Sequence, residues 1–263
     1  MSAPAYAGRF ARIRLERDER GILEVTLHTD GGPLVYGHGD GPSPQAELAE
    51  AFAAIAADAE NRVVLLTGSG ERYSGPAASL DALPAADVAT WDEIRRTGVR
   101  MLMGLLEIDA PVISCINGPA LRHAELALLA DIVLAADDAV IQDTAHFTNR
   151  TVPGDGMNVV LTLLLGHNRG RYHLLTGKPI TAEEAFALGL VAELHPRERL
   201  LARGRELAAE LAAQDPLVLR YTRLLMTEPL KRAMNDLLGY GLALEALAAV
   251  GQAGPAADPK EDG

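Results

Sequence analysis

A layered α/β fold is predicted by three features of this chain. Short apolar runs rich in β-branched residues recur, helical periodicities fall between them, and the last third carries long Leu/Ala-rich helical patterns. With 263 residues and 48% hydrophobic side chains, there is enough apolar surface for one large domain or a domain with a helical extension.

The elements follow in order. Residues 1–11 read as a flexible N-terminus. Ile13 and Leu15, then Leu23, Val25 and Leu27, alternate on either side of a charged turn and read as a β-hairpin. Residues 31–44, rich in Gly and Pro, read as a loop. Apolar spacing predicts a helix over 45–57, and the run 63–67, closed by Gly68-Ser69-Gly70, reads as a buried strand. A loop over 71–84 leads to a helix over 91–107. Pro111 ends that region and residues 112–116 form the next strand. Asn117-Gly118-Pro119 turns the chain into a short helix over 123–129, followed by a strand at 131–135 and a shorter one near Val140. This rhythm argues for βαβ crossovers. Beyond Met157 the pattern is helical. Thr181 and Glu184 form a capping box, and helices are predicted over 198–214, 217–226 and 229–250. The organisation expected is an N-terminal segment 1–11, a core 12–196, a helical region 197–250 and a disordered tail 251–263.

Composition excludes several classes of function. With 36 acidic against 24 basic side chains and a net charge of −12, nucleic acid and anionic membranes are poor partners. No apolar run is long enough to span a bilayer, and the first residues lack the apolar core of a signal peptide, so the protein reads as cytoplasmic. The single cysteine, Cys115, lies in an apolar run and reads as a small buried hydrophobe. No Cys/His cluster has zinc spacing, and Gly68-Ser69-Gly70 is too short for a phosphate loop.

The densest chemical signal is residues 141–158. His146 stands nine residues before Asp155, which sits inside Pro153-Gly154-Asp155-Gly156 at the start of a predicted helix. A stiff corner of this kind can hold a carboxylate against an imidazole, a pairing suited to general-base chemistry. Glu245 is the second unusual acid. Its helical neighbours Gly241, Leu242, Ala248 and Ala249 are apolar, so a buried carboxylate there needs a partner. His28, His38, His167, His173 and His195 have no such context and read as structural or surface residues, and Asn168-Arg169-Gly170-Arg171 reads as subunit or helix-cap bonding.

Taken together, residues 63–68, Pro111-Val112-Ile113, Asn117-Gly118-Pro119-Ala120, the run 131–135, Val152-Pro153-Gly154 and Leu174-Leu175-Thr176-Gly177 resemble the landmarks of the crotonase (enoyl-CoA hydratase/isomerase) superfamily. The resemblance implies a crotonase fold: a layered ββα spiral core with a C-terminal helical trimerisation region. Two segments depart from CoA-using members. The turn that binds a thioester oxyanion is Arg122-His123-Ala124 here, one residue short of the Gly-rich turn. The earlier oxyanion loop is Ser74-Gly75-Pro76, with a proline that lacks an N–H. The segments Asn117-Gly118-Pro119 with His123 and Glu125, Gln142-Asp143 with His146-Phe147, residues 152–156, and Glu245-Ala246-Leu247 are similar to 6-oxocamphor hydrolase and related β-diketone hydrolases.

By that resemblance the catalytic residues are His146, Asp155, His123 and Glu245, and the substrate meets Tyr36, Phe147, Ser74 and Gly75. The implied reaction is retro-Claisen hydrolysis of a β-diketone to a keto acid. His146 is oriented by Asp155, His123 is supported by Glu245, and no metal, nucleotide or CoA takes part. A small-molecule diketone and further copies of the chain, in a homotrimer or dimer of trimers, are the implied partners. Glu125 is read as a helix residue near the pocket, with a rival role as the base of a CoA-thioester hydratase or hydrolase. A non-catalytic oligomeric subunit is the third reading.

Overall fold

The structure, a computed structural model, describes residues 2–36, 43–76 and 87–252, apart from the side chains of Pro76 and Thr148. The charged turn closes an antiparallel hairpin of β1 (Ile13–Arg17) and β2 (Ile22–Leu27), in register Ile13 to Leu27. From β2 inward the main sheet is parallel. β4 (Val63–Gly68), β6 (Val112–Ile116), β7 (Ile132–Ala136) and β10 (Glu193–His195) follow, in the order β1-β2-β4-β6-β7-β10. Every residue of β2, β4 and β6 is buried, as expected of a parallel sheet covered on both faces.

A second, smaller layer builds the site. β3 (Leu34–Tyr36) pairs with β5 (Ser74–Pro76), and β8 (Val140–Ile141) pairs with β9 (Ile180–Thr181). Ala120 bridges to both Ser74 and Ile141 and so joins the two pairs. β3 and β5 lie inside stretches that composition marks as loops. Three-residue strands give too little alternation to register as a pattern.

Several helices begin at capping residues, and the second starts at Val88, three residues before the expected 91. α1 (Pro44–Ala56) starts at Ser43, whose hydroxyl accepts from the Ala46 N–H at 3.2 Å, with Pro44 in the first turn. α2 (Val88–Leu106) is capped by Asp87, and α1 and α2 pack together through Gly104, whose missing side chain leaves room for Phe52. α3 (Glu125–Leu128) is one turn. α4 (Met157–Thr176) is two helices joined across a kink at Gly166, which has φ +75°. Thr181 caps α5 (Ala182–Ala187) through the Glu184 N–H, as its capping box predicts. α6 (Arg197–Ala212) lies on the main sheet, where Gly204 packs against Cys115. Burial pushes the Cys115 thiol up to about 12, which leaves it inert.

Three expectations about the second half are corrected. The chain beyond Met157 is not all helix, since β9 and β10 interrupt it and β10 extends the parallel sheet beside β7. The helices expected over 217–226 and 229–250 are one helix, α7 (Pro216–Gln252), with Pro229 inside it. The proline removes one backbone donor, and the carbonyl it leaves free belongs to Leu225, a residue 77% exposed, where water can bond it. Gly251 and Gln252 are helical, and the Gln252 amide donates to the Arg150 carbonyl at 2.6 Å. Residues 253–263 of the expected tail lie outside the described residues. At the other end, Ser2 exchanges backbone hydrogen bonds with Arg17, and Phe10 is in the core.

α7 is anchored by Arg223, which is fully buried. Its guanidinium donates to Asp131 at 2.7 Å and to the carbonyls of Leu105, Leu106 and Ile108. Among the described residues no helix is long and apolar enough to cross a membrane.

Candidate active site

Seven segments converge on one cavity of about 200 Å³. The end of β3 brings Tyr36, the start of α1 brings Gln45, and the first turns of α2 bring Trp91 and Ile94. The turn before α3 brings Arg122 and His123, the segment after β8 brings His146 and Thr151, and the Pro-Gly corner brings Asp155. Glu245 comes from α7.

The corner can meet α7 because both sides are glycine. A Cβ on Gly154 would stand 2.2 Å from the Gly241 carbonyl oxygen, and one on Gly241 would stand 2.5 Å from that of Gly154. Gly156 follows at φ +115°, in the left-handed region that other residues rarely adopt. The contact sets Glu245, one turn beyond Gly241, beside Asp155.

His123 and His146 face each other across Asp155. Asp155 Oδ2 is 3.4 Å from His123 Nδ1 and 3.4 Å from His146 Nε2. Each imidazole also has a closer carboxylate of its own: His123 Nδ1 is 2.6 Å from Glu125, and His146 Nδ1 is 2.6 Å from Asp143. His146 Nε2 further faces Glu245 Oε1 at 3.4 Å, and His123 Nε2 meets the Gln45 amide at 3.1 Å. His123 itself is in the left-handed region at φ +50°, a strained backbone of the kind that clusters at functional sites.

These positions revise the expected pairings. Asp143, three residues before His146, holds Nδ1, and Asp155, expected to orient the ring, lies on the other ring nitrogen. Glu245 faces His146 instead of His123. Glu125, expected only near the pocket, is fully buried and is the direct partner of His123. Phe147, expected on the substrate, is 50% exposed and is absent from the cavity wall. Ser74 and Gly75 also do not line it. Ser74 lies behind the wall, its hydroxyl donating to the Arg122 carbonyl at 2.5 Å, and Gly75 pairs with Val35 in the small sheet. Tyr36 does line the cavity, its ring centroid 4.5 Å from that of His123. Among the described residues, His28, His167, His173 and His195 lie away from the cavity.

The electrostatics follow from enclosure. Burial disfavours a charged imidazole at His146, but Asp155, Asp143 and Glu245 overcome it and hold its pKa well above the usual value. Burial likewise opposes charge on His123, and Glu125 outweighs it, so that pKa is also raised. Asp155 is the reverse case. Burial would raise its pKa, yet His146, His123 and Arg122 hold it below the usual carboxylate range. Glu245 is raised by burial, with His146 opposing. Burial lifts the Tyr36 phenol far above its ordinary value, so Tyr36 remains an O–H donor.

Glu125 carries a pH prediction. Burial, with the nearby Asp155 charge, pushes it from 4.5 up to about 7. An acid raised by folding costs stability as pH rises, because the unfolded chain releases that proton first. Glu125→Gln is therefore expected to gain in melting temperature relative to wild type as pH rises from about 4.5 to about 7. A difference between the two melting curves that is independent of pH would rule this out.

Several buried polar atoms around the cavity have no hydrogen-bond partner among the described residues: Tyr36 Oη, Glu125 Oε2, Asp155 Oδ1, Glu245 Oε2, Arg122 Nε and Trp91 Nε1. Such atoms are uncommon in a folded interior and mark where a ligand's own polar groups would sit. Donor atoms of His123, Glu125 and Asp155 lie within 4.8 Å of one another, a set that could by composition ligate a divalent cation. The His123 nitrogen is, however, already bonded to Glu125, and Asp155 already stands between two imidazoles. Sequence spacing could have revealed Asp143, three residues from His146. Gln45, Trp91, Arg122 and Thr151 reach the cavity only through tertiary packing.

The enoyl-CoA hydratase/isomerase family model matches residues 43–245. A β-diketone hydrolase from the cyanobacterium Anabaena sp. PCC 7120, solved bound to (S)-3-oxocyclohexyl acetic acid, is similar at 40% identity and a TM-score of 0.91, covering 96% of this chain and 100% of that one. Carnitinyl-CoA dehydratase from Citrobacter koseri is 31% identical over 206 residues, 75% of this chain and 78% of its own length. Probable enoyl-CoA hydratase echA12 from Mycobacterium bovis is 33% identical over 172 residues, 63% of this chain; the match spans 60% of that relative's length. On the family match and the shared architecture, the chain belongs to the enoyl-CoA hydratase/isomerase family.

Proposed function

We propose that this protein hydrolyses a carbon–carbon bond of a β-diketone by a retro-Claisen reaction, giving a keto acid. The observation that carries the reading is the pair of imidazoles, each with its own carboxylate, facing each other across Asp155 in one cavity. The Anabaena enzyme, 40% identical over nearly the whole chain, supports it.

Water is held at His146 Nε2. His146 and Glu245 share a proton, and when it rests on Glu245 the imidazole nitrogen is free to accept one from water. Asp155 stabilises the imidazolium that forms. The water oxygen bonds to one carbonyl carbon, whose oxygen takes the electron pair. As that carbonyl re-forms, the carbon–carbon bond breaks and its electrons pass to the second carbonyl as an enolate. His123, charged through Glu125, and the Tyr36 hydroxyl donate to the enolate oxygen. Aimed donors of this kind are worth about 3–4 kcal/mol when they meet developing charge. The proton taken from water returns to the enolate carbon, so the product is the substrate plus one water.

The second reading, an acyl-CoA hydratase or thioester hydrolase, is favoured by Glu125, a buried acid with one free oxygen. A panel of cyclic and bicyclic 1,3-diketones, followed by loss of ultraviolet absorbance and mass detection of a one-water gain, separates the two. Turnover of a diketone is the expected result. Turnover of acyl-CoA with every diketone inert would overturn the first reading. Assembly into a homotrimer or dimer of trimers is part of the proposal, supported by exposed apolar residues on α7 (Tyr221, Leu225, Tyr240, Leu247) and α4 (Leu163, Leu175). Light scattering at the eluting peak measures it.

A further inference from the structure

Arg122 is unlike the other arginines near charged neighbours. Arg12, Arg17, Arg203, Arg205 and Arg223 each pair with a carboxylate. No carboxylate or carbonyl among the described residues accepts from the Arg122 guanidinium, and its Nε is buried without a partner. It is also the one Lys or Arg among the described residues that line the cavity. Its backbone is fixed from both sides. The Arg122 carbonyl accepts from Ser74 Oγ at 2.5 Å, the Leu121 N–H donates to the Ser74 carbonyl at 3.0 Å, and Thr144 Oγ1 donates to the Leu121 carbonyl at 2.5 Å. A half-buried guanidinium on a fixed backbone, with no acceptor among the described residues, is placed to receive one.

Retro-Claisen hydrolysis turns a neutral substrate into an anion. The carboxylate forms at the carbon that water attacked, inside a cavity already lined by Asp155 and Glu245, with Glu125 buried against His123. We propose that Arg122 forms a carboxylate subsite on the same turn as His123: its fork binds the two oxygens of the acid group that the reaction creates. This inference rests on the retro-Claisen reading for its biological meaning, but the subsite itself is a matter of binding. A planar fork suits the two oxygens of a carboxylate and has no comparable match in a neutral ketone.

The test is calorimetric titration of the full-length protein with cyclohexylacetate and with cyclohexylacetamide, its neutral analogue of the same shape. Wild type is expected to prefer the acid, and Arg122→Gln to weaken acid binding by about 10-fold or more while the amide is unaffected. Arg122→Lys should recover part of the preference through its point charge. Melting curves confirm that the variants fold. Equal affinity of wild type for acid and amide, no acid binding by wild type, or an acid affinity untouched in Arg122→Gln would each overturn the subsite. Diketone hydrolysis without acid preference would retain the function and remove the subsite. Acid preference with every diketone inert would retain the subsite and remove the retro-Claisen reading.

Discussion

His146→Gln is expected to lower kcat on a cleaved diketone by about 10³-fold, with a smaller change in KM. The imidazole is 2% exposed and is the group between Asp143 on one side and Asp155 with Glu245 on the other. Glutamine keeps a hydrogen-bonding side chain in the space but cannot take a proton from water. The substitution also leaves three carboxylates with a neutral neighbour, so a stability effect accompanies the kinetic one. Its sign follows from the raised pKa of His146. While the carboxylates are ionised, the stability contributed by the imidazolium is fully present below its unfolded value of about 6.5 and is lost as pH rises through the folded value. The gap in melting temperature between wild type and His146→Gln should therefore narrow at alkaline pH. Turnover by His146→Gln close to that of wild type would remove His146 from the chemistry.

Gly154→Ala is expected to have the largest structural effect of any single methyl added at the site. The new carbon would stand 2.2 Å from the Gly241 carbonyl oxygen, a backbone atom within a helix that Arg223 anchors to the core. Neither side can yield by rotating a side chain. Overpacking typically costs about 1–3 kcal/mol, and a backbone-to-backbone clash belongs at or above the top of that range. Relief requires α7 to move off the corner, which carries Glu245 away from His146. Loss of melting temperature and loss of turnover should therefore appear together, and Gly241→Ala should reproduce both. A Gly154→Ala protein with wild-type melting temperature and turnover would show that the corner and α7 are not held in this contact.

Much of the architecture was legible before any coordinates. β2, β4 and β6 announce themselves as apolar runs because a strand covered on both faces must be apolar throughout. The cap at Thr181 rests on the local chemistry of one turn. β3, β5, β9 and β10 were not legible. Each spans only two or three residues, and their pairing partners lie far along the chain. The join across Pro229 was hidden for a different reason. Whether a proline ends a helix or sits within it depends on whether the carbonyl it frees can reach water.

The sequence by itself paired His146 with an aspartate on the Pro-Gly corner and marked Glu245 as a buried acid in need of a partner, because these depend on residue type and on order along the chain; the grouping of both with His123 came from family resemblance. Only the tertiary structure decided who faces whom. Asp143 rather than Asp155 meets His146 Nδ1, Glu125 rather than Glu245 meets His123, and Arg122 has no acceptor among the described residues. Such pairings are set by sub-ångström choices among carboxylates of the same charge. Those choices come from how α7 seats against Gly154 and how the small sheet carries the Arg122-His123 turn.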